Sequence, residues 1–253
     1  MTVTEQVDEV LERLRALELR LPPRDGVAVF TTAYLAVTEE ISGRLAGPCF
    51  GDPEAVAELD TVFAGRYLAA VDADLAGRRV PACWRPLFAR RRDPGVHPLQ
   101  FALAGMAAHI EHDLPLAVVE TCRRRGLAPQ ALASDYDRVD GVLADAEATV
   151  REQLLPGPDL LDAADPLVHL AATWSVARAR AAAWASVLAL WAVHPLHPAY
   201  QALAATLDES AGAVAGLLLA PLRGGGTGGP PALPPAPAGG RQTQLECSGL
   251  PSA

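Results

Sequence analysis

Lysine is absent from the sequence, and aromatic residues are scarce. All 21 basic residues are arginine, and Phe, Trp and Tyr together make up 5% of the 253 residues. Asp and Glu number 30, so the formal net charge is −9. Proteins that bind nucleic acid normally present a basic face to the phosphates. The charge balance therefore argues against a nucleic-acid partner.

Long apolar runs and closely paired cysteines are also lacking. No uninterrupted apolar run reaches the roughly 18 residues that a membrane span needs. Residues 1–20 are charged and amphipathic, which is unlike a secretory signal. We therefore predict a cytoplasmic protein with no membrane partner. There is no C-x-x-C pair, so neither a zinc ribbon nor a dense disulfide framework is indicated, and we expect reduced thiols at Cys49, Cys83, Cys122 and Cys247.

The composition favours helix over strand. Hydrophobic residues make up 50% of the chain, and Ala and Leu dominate them while Ile and Met are rare. We predict an all-α fold, a single-domain bundle of about seven to nine helices formed by residues 1–222. Residues 223–253 are rich in Gly and Pro and cannot bury a core, so we predict a disordered tail there.

The segment from Phe101 to Pro115 concentrates groups that can carry chemistry. On a helix His109, His112 and Asp113 stand at i, i+3 and i+4, so their side chains share one face. Pro115 lacks an amide hydrogen and crowds the preceding turn, which predicts a kink or a helix end at residues 111–115. Three such ligands on one face suggest either a metal site or an acid–base site.

Small residues precede this site on the same stripe. Gly105 and Ala102 contribute almost no side-chain volume. The pattern predicts a close approach of another group to the helix, and both a ligand and a neighbouring helix would fit.

A metal would need a further ligand. Asp137 and Asp140 share a face of the next predicted helix at i, i+3, and either of them is a candidate to join His109, His112 and Asp113 around zinc, manganese or iron. The same stretch, which begins at Ser134, also has the pattern of a helix capping box, which is a purely structural role.

Several other side chains are candidates for contacts with a small-molecule substrate. Tyr34 could instead lie in the core with its hydroxyl bonded. Arg178 and Arg180 lie in an apolar segment, where an arginine serves either an ion pair or a substrate anion. The candidate substrate-binding residues are Tyr34, Tyr67, Gln100, Trp174 and Arg178.

One combination of motifs resembles a known family. It consists of Leu99-Gln-Phe-Ala-Leu-Ala-Gly-Met-x-x-His109-Ile-x-His112-Asp113-Leu, with Cys83-Trp-Arg-Pro-Leu-Phe88 upstream and Asp135-Tyr-x-x-Val139 downstream. It resembles an actinobacterial family known only as a domain of unknown function, over most of residues 20–195. The resemblance implies a shared helical fold with the His/His/Asp helix as its signature. Where relatives commonly carry Asn, this chain has Ala108 and Glu111.

A weaker resemblance links His112-Asp113-Leu114 to the helical HD-type metal phosphohydrolases, whose pattern also needs an earlier His and a later Asp. Three functions remain open. The first is a metal-assisted, hydrolase-like enzyme at His109, His112 and Asp113. The second is a metal-independent enzyme with a histidine acid or base, a cyclase or isomerase acting on an apolar small molecule. The third is a non-catalytic helical binding or scaffold protein.

Overall fold

The computed structural model describes residues 3–45, 47–139, 141, 143 and 174–222. Among these residues eight α-helices have defined bounds and no strand occurs, which confirms the all-α bundle. The predicted tail lies outside them. In chain order the helices are α1 (Val3–Arg20), α2 (Gly26–Leu45), α3 (Pro53–Leu75), α4 (Arg85–Arg90), α5 (Pro98–Ala108), α6 (Leu114–Arg125), α7 (Val176–Val193) and α8 (His197–Leu218). Residues 133–139 are also helical.

Helix α5 lies at the centre of the bundle, packed between α2 and α8. Its start is fixed locally. The His97 side chain accepts a hydrogen bond from the Leu99 amide, the Gln100 side chain accepts one from the His97 amide, and Pro98 occupies the first turn. Nearly every residue of α5 is buried, because apolar side chains cover all sides of the helix.

The close approach predicted at Gly105 is made by a neighbouring helix. A Cβ atom built on Gly105 would lie closer than 3.0 Å to ring carbons of Phe30 on α2. The glycine therefore lets the Phe30 ring pack directly on the backbone of α5.

Replacing Gly105 by alanine should destabilise the protein, because the added methyl group overlaps an aromatic ring in the core. We expect the free energy of unfolding to fall by about 1–3 kcal/mol in urea denaturation. Gly65 in α3 is the matched control, since a Cβ there meets no atom within 4 Å. Gly65→Ala should leave stability unchanged or raise it by about 0.5–1 kcal/mol. Equal effects of the two substitutions would contradict this account of the packing.

Between α5 and α6 the chain makes a π-helical turn, His109–Asp113. The Leu114 amide donates to the carbonyl oxygen of His109, five residues earlier. Pro115 follows in the first turn of α6, where no amide hydrogen is required. The break in helical geometry predicted from Pro115 is thus a π turn that contains all three candidate ligands, and such turns occur frequently at functional sites.

Helix α7 is the one helix within the described ranges whose length and composition would allow it to cross a membrane. Its mean hydropathy is 1.3 over 18 residues, and 33% of that window is buried. Core helices of soluble proteins meet the same criterion, so this finding is weak evidence for a membrane span. Among the cysteines, Cys83 and Cys122 are free thiols. The expectation of reduced thiols is wrong for Cys49, which is disulfide-bonded.

Candidate active site

The carboxylate of Asp113 holds three side chains together. His109 Nδ1 lies 3.0 Å from Oδ2, and His112 Nδ1 lies 2.8 Å from Oδ1. Trp84 donates its indole N–H to Oδ2 over 3.0 Å. All four residues are buried. We call Trp84, His109, His112 and Asp113 the Asp113 network.

The protonation states of the network follow from its hydrogen bonds. Burial opposes the charged form of Asp113, but hydrogen bonds from His109 and His112 outweigh it and lower the pKa of Asp113 to about 2. An ionised carboxylate can only accept, so each histidine presents Nδ1–H to it and keeps Nε2 as its basic nitrogen. Burial lowers the pKa of His109 although Asp113 opposes the shift, so its imidazole is neutral at pH 7.

The basic nitrogen of His109 lies in an aromatic environment. The imidazole stacks on Phe63 with ring centroids 3.5 Å apart and is met edge-on by Tyr34 at 4.6 Å. Nε2 is buried and has no hydrogen-bond partner among the described residues. A buried nitrogen in this state is free to take a proton or a ligand.

His109 lines an apolar cavity of about 100 Å³. Two other side chains on its wall carry a buried polar atom without a partner in the described part of the chain, the Tyr34 hydroxyl and Asp60 Oδ2. Burial raises the pKa of Asp60 to about 7. Burial also raises the pKa of Tyr34, and the charges of Asp60 and Asp113 raise it further, while the nearby Thr38 side chain lowers it without reversing the shift. The rest of the wall is mostly aliphatic or aromatic, and includes Phe30, Val37, Ile41, Leu59, Phe63 and Met106.

His112 has different neighbours. Cys83 Sγ lies 3.3 Å from His112 Nδ1, and Asp208 Oδ1 lies 3.8 Å from Nε2. Asp208, on α8, also accepts hydrogen bonds from the amides of Ala82 and Cys83, at 2.9 Å each. These bonds fix the turn that carries Cys83 and Trp84 against the network.

Next to His112, three buried side chains carry groups that can ligate a metal ion. Ligand atoms of Cys83, His112 and Asp113 lie within 4.8 Å of one another. Burial raises the pKa of the Cys83 thiol, and the negative charges of Asp113 and Asp208 raise it further, so the thiolate that a metal would require is disfavoured.

The structure brings His109, His112 and Asp113 together, and each histidine is hydrogen-bonded to the carboxylate of Asp113. The proposed fourth metal ligand is not part of this cluster, because Asp137 is exposed on the helical segment 133–139. Its alternative, Asp140, lies outside the described residues.

Of the candidate substrate-binding residues, Tyr34 lies on the cavity wall. Tyr67, Gln100 and Trp174 are instead hydrogen-bonded to other residues of the protein. Tyr34 lines the cavity, whereas the Tyr67 hydroxyl is bonded to Thr31 at 2.7 Å. The Gln100 amide donates to the carbonyl oxygens of Leu218 and Ala220, a structural role that holds the end of α8. Trp174 donates to Glu111 at 3.2 Å.

The arginine that faces the cavity is Arg180 and not Arg178. Arg178 is exposed. Arg180 is buried, lies 3.9 Å over the ring of Tyr136 and donates to the Tyr136 carbonyl oxygen. It is therefore engaged with the helical segment 133–139.

The sequence analysis did not place Trp84, Asp60 or Phe63 at the candidate site. Trp84 had a signal, because it belongs to the motif Cys83–Phe88 that carried the family resemblance. Asp60 had none, since α3 carries further acids such as Asp72 and Asp74, and spacing alone does not tell which acid turns inward. Only the packing of α3 against α2 and the π turn places Asp60 and Phe63 on the cavity.

Comparison with known proteins gives one match. A family model described as a family of unknown function, DUF5995, matches residues 7–221. No curated protein and no solved structure matches the chain. Since the matched segment is most of the chain, the protein belongs to the DUF5995 family of unknown function.

Proposed function

We propose that the protein is a metal-independent enzyme in which His109 Nε2 acts as a general base on an apolar small molecule. The observation that carries this proposal is the buried Nε2 atom, which has no hydrogen-bond partner among the described residues and lies on an apolar cavity. A general base needs an accessible lone pair beside the proton that it removes.

The Asp113 network suits His109 to this role. The hydrogen bond from Nδ1 to Asp113 fixes the tautomer and the orientation of the ring. When Nε2 takes a proton, the adjacent carboxylate stabilises the imidazolium that forms. The Trp84 indole holds Oδ2 in place, so Trp84 and Asp113 are positioning residues in this proposal.

The unpartnered atoms favour binding over a purely structural role. A buried polar atom without a partner costs about 1–3 kcal/mol. Tyr34, Asp60 and His109 each carry a polar atom that has no partner among the described residues, and all three face the same cavity. A scaffold protein gains nothing from this concentration, whereas a ligand with matching polar groups would satisfy all three atoms at once.

Histidine-labelled NMR tests the proposal without knowledge of the substrate. We expect His109 to be neutral with its proton on Nδ1 at pH 7, and its Nε2 resonance to shift when apolar ligands from a small library bind. Library members that bind are then incubated with the protein and analysed for conversion by mass spectrometry and proton NMR. His109→Gln should abolish conversion, and His197→Gln, at the exposed start of α8, should leave it unchanged.

The opposite results would overturn the proposal. If no library member shifts the His109 resonance, the cavity is not a binding site for these molecules. If conversion persists in His109→Gln, another group is the base. If His109→Gln only lowers stability and wild type converts nothing that binds, the histidines serve the fold, as in a scaffold protein.

A metal-dependent enzyme is a second candidate, favoured by the cluster of Cys83, His112 and Asp113. Ligands around tetrahedral zinc lie about 3.3 Å apart or more, given metal–ligand bonds of about 2.0–2.3 Å. His112 Nδ1 and Asp113 Oδ1 are 2.8 Å apart, so a metal would have to replace their hydrogen bond. Elemental analysis after mild purification decides. An absence of metal, with no thermal shift on adding zinc, manganese or iron, would exclude this candidate.

A further inference from the structure

The Tyr34 hydroxyl and Asp60 Oδ2 have no part in the general-base step. Tyr34 is on α2 and Asp60 on α3, and their side chains are 7% and 6% exposed. Neither polar atom has a hydrogen-bond partner in the described part of the chain. The nearby Thr38 hydroxyl donates to the backbone carbonyl of Tyr34 at 2.9 Å. The Tyr34 hydroxyl and Asp60 Oδ2 thus lie on the wall of one apolar cavity without a hydrogen bond to a described residue.

Both groups are donors at mildly acidic pH. A phenol whose pKa is raised by burial keeps its proton. Burial raises the pKa of Asp60 to about 7, so below that pH the carboxyl group is protonated and carries an O–H. A buried carboxylic acid of this kind can donate to a ligand oxygen.

The base and the two donors border the same space. The Tyr34 ring contacts the His109 ring edge-on, with centroids 4.6 Å apart, and the charge of Asp60 acts on the Tyr34 hydroxyl. Asp60 and Phe63 are one turn apart on α3, and Phe63 stacks on His109. A ligand in the cavity would therefore meet the base and both donors.

This arrangement limits the chemistry of the ligand. The wall is largely apolar, so most of the ligand must be apolar as well. Its polar part must accept hydrogen bonds from two neutral donors, as a carbonyl oxygen does. Arg180 also lines the cavity, but it is bonded to Tyr136. The donors thus fit an uncharged carbonyl compound better than a carboxylate.

We propose that Tyr34 and Asp60 form a donor pair for a carbonyl oxygen, and that the substrate is an apolar ketone or enone whose adjacent carbon loses a proton to His109. This inference rests on the proposed function and names the substrate class of the same site.

All bonds that break or form in the proposed reaction belong to the substrate and to His109. The C–H bond next to the carbonyl breaks and its proton moves to His109 Nε2. The electron pair of that bond forms a C=C bond, while the carbonyl π pair moves onto the oxygen, where Tyr34 and Asp60 stabilise the charge. When the substrate is a β,γ-unsaturated ketone, return of the proton from Nε2 to the γ carbon of the resulting dienolate moves the C=C bond into conjugation and restores neutral His109. No oxidant, reductant or co-reactant is consumed.

A binding experiment tests the donor pair. Phenol, which is neutral at pH 6, presents an oxygen that can accept hydrogen bonds from the donor pair, and toluene has nearly the same size without the oxygen. At pH 6 we expect phenol to bind more tightly than toluene by about tenfold or more, the equivalent of one or two hydrogen bonds. Tyr34→Phe and Asp60→Leu should each remove most of this preference and leave toluene binding unchanged. Tyr200→Phe is the matched control, because Tyr200 lies on α8 and does not line the cavity.

A turnover experiment tests the reaction. A β,γ-unsaturated cyclohexenone should be converted to its conjugated isomer, which is followed by ultraviolet absorbance. His109→Gln should abolish conversion, and Tyr34→Phe should slow it by about 10²–10³-fold, as the loss of one donor to a developing oxyanion does. Tyr200→Phe should convert at the wild-type rate.

The outcomes separate this inference from the proposed function. Equal binding of phenol and toluene, or a preference that survives Tyr34→Phe, would overturn the donor pair. If ligands then still shift the His109 resonance and are converted, the general-base proposal stands alone. If neither probe reaches His109, both proposals fail.

Discussion

Replacing Asp113 by alanine is expected to lower the free energy of unfolding by about 3–5 kcal/mol, the largest effect of any single substitution at the site. The Asp113 side chain is 3% exposed and accepts hydrogen bonds from three buried donors, which belong to Trp84, His109 and His112. Its removal leaves those donors without an acceptor in a space that water does not fill easily, and each such loss costs about 1–3 kcal/mol.

Urea denaturation at pH 7 measures this effect, and two variants calibrate it. Asp113→Asn keeps the shape but replaces one acceptor oxygen by an NH₂ group, so it should cost less than alanine and still more than about 1 kcal/mol. Asp137→Ala changes an exposed aspartate and should stay within about 0.5 kcal/mol of wild type. A loss below about 1 kcal/mol for Asp113→Ala would show that the network does not hold the π turn in place.

Replacing Asp60 by asparagine is expected to raise stability at pH 8 and to remove a pH dependence. Burial raises the pKa of Asp60 from its ordinary value of 3.8 to about 7 in the folded protein, so between these values the folded state binds one proton more than the unfolded state. Stability must then fall as pH rises through this window. The maximum loss is about 4 kcal/mol, at about 1.4 kcal/mol for each pKa unit.

The measurement is the difference in unfolding free energy between wild type and Asp60→Asn at pH 5 and pH 8. Groups that titrate equally in both proteins contribute nothing to this difference in unfolding free energy. They include Tyr34, His109 and Asp113 near the cavity. We expect wild type to lose about 3 kcal/mol of stability relative to the variant between these pH values, because only the two pKa units from pH 5 to about 7 fall inside the measured range. Parallel profiles would mean that Asp60 titrates normally, and the case for a protonated donor at this position would be lost.

Parts of the fold and site were predictable because they depend on local sequence. The all-α class follows from composition and from periodic apolar positions, which report a helix whatever surrounds it. His109, His112 and Asp113 lie within one and a half turns, so any helix-like backbone brings them together. Pro115 also acts locally, and its missing amide hydrogen predicted a change of helical geometry at the position where the π turn occurs.

Other features depend on contacts between residues that are distant in the sequence. The fourth member of the network is Trp84, 29 positions before Asp113, and the cavity joins Tyr34 of α2 and Asp60 of α3 to His109. Among several acids on α3 the sequence does not distinguish Asp60, because inward and outward positions differ only once the neighbouring helices are in place. Likewise, Gly105 indicated a close approach, and only the structure identifies Phe30 as the neighbour.

By itself, the sequence determined that this protein is helical and that His109, His112 and Asp113 form a cluster, because both depend on the regular geometry of one helix. The tertiary structure decided how the cluster is bonded. The two histidines and Trp84 share the carboxylate of Asp113, and His109 Nε2, which has no hydrogen-bond partner in the described part of the chain, lies on an apolar cavity beside Tyr34 and Asp60. The reason is physical, since burial and hydrogen-bond satisfaction depend on all the helices that surround a side chain.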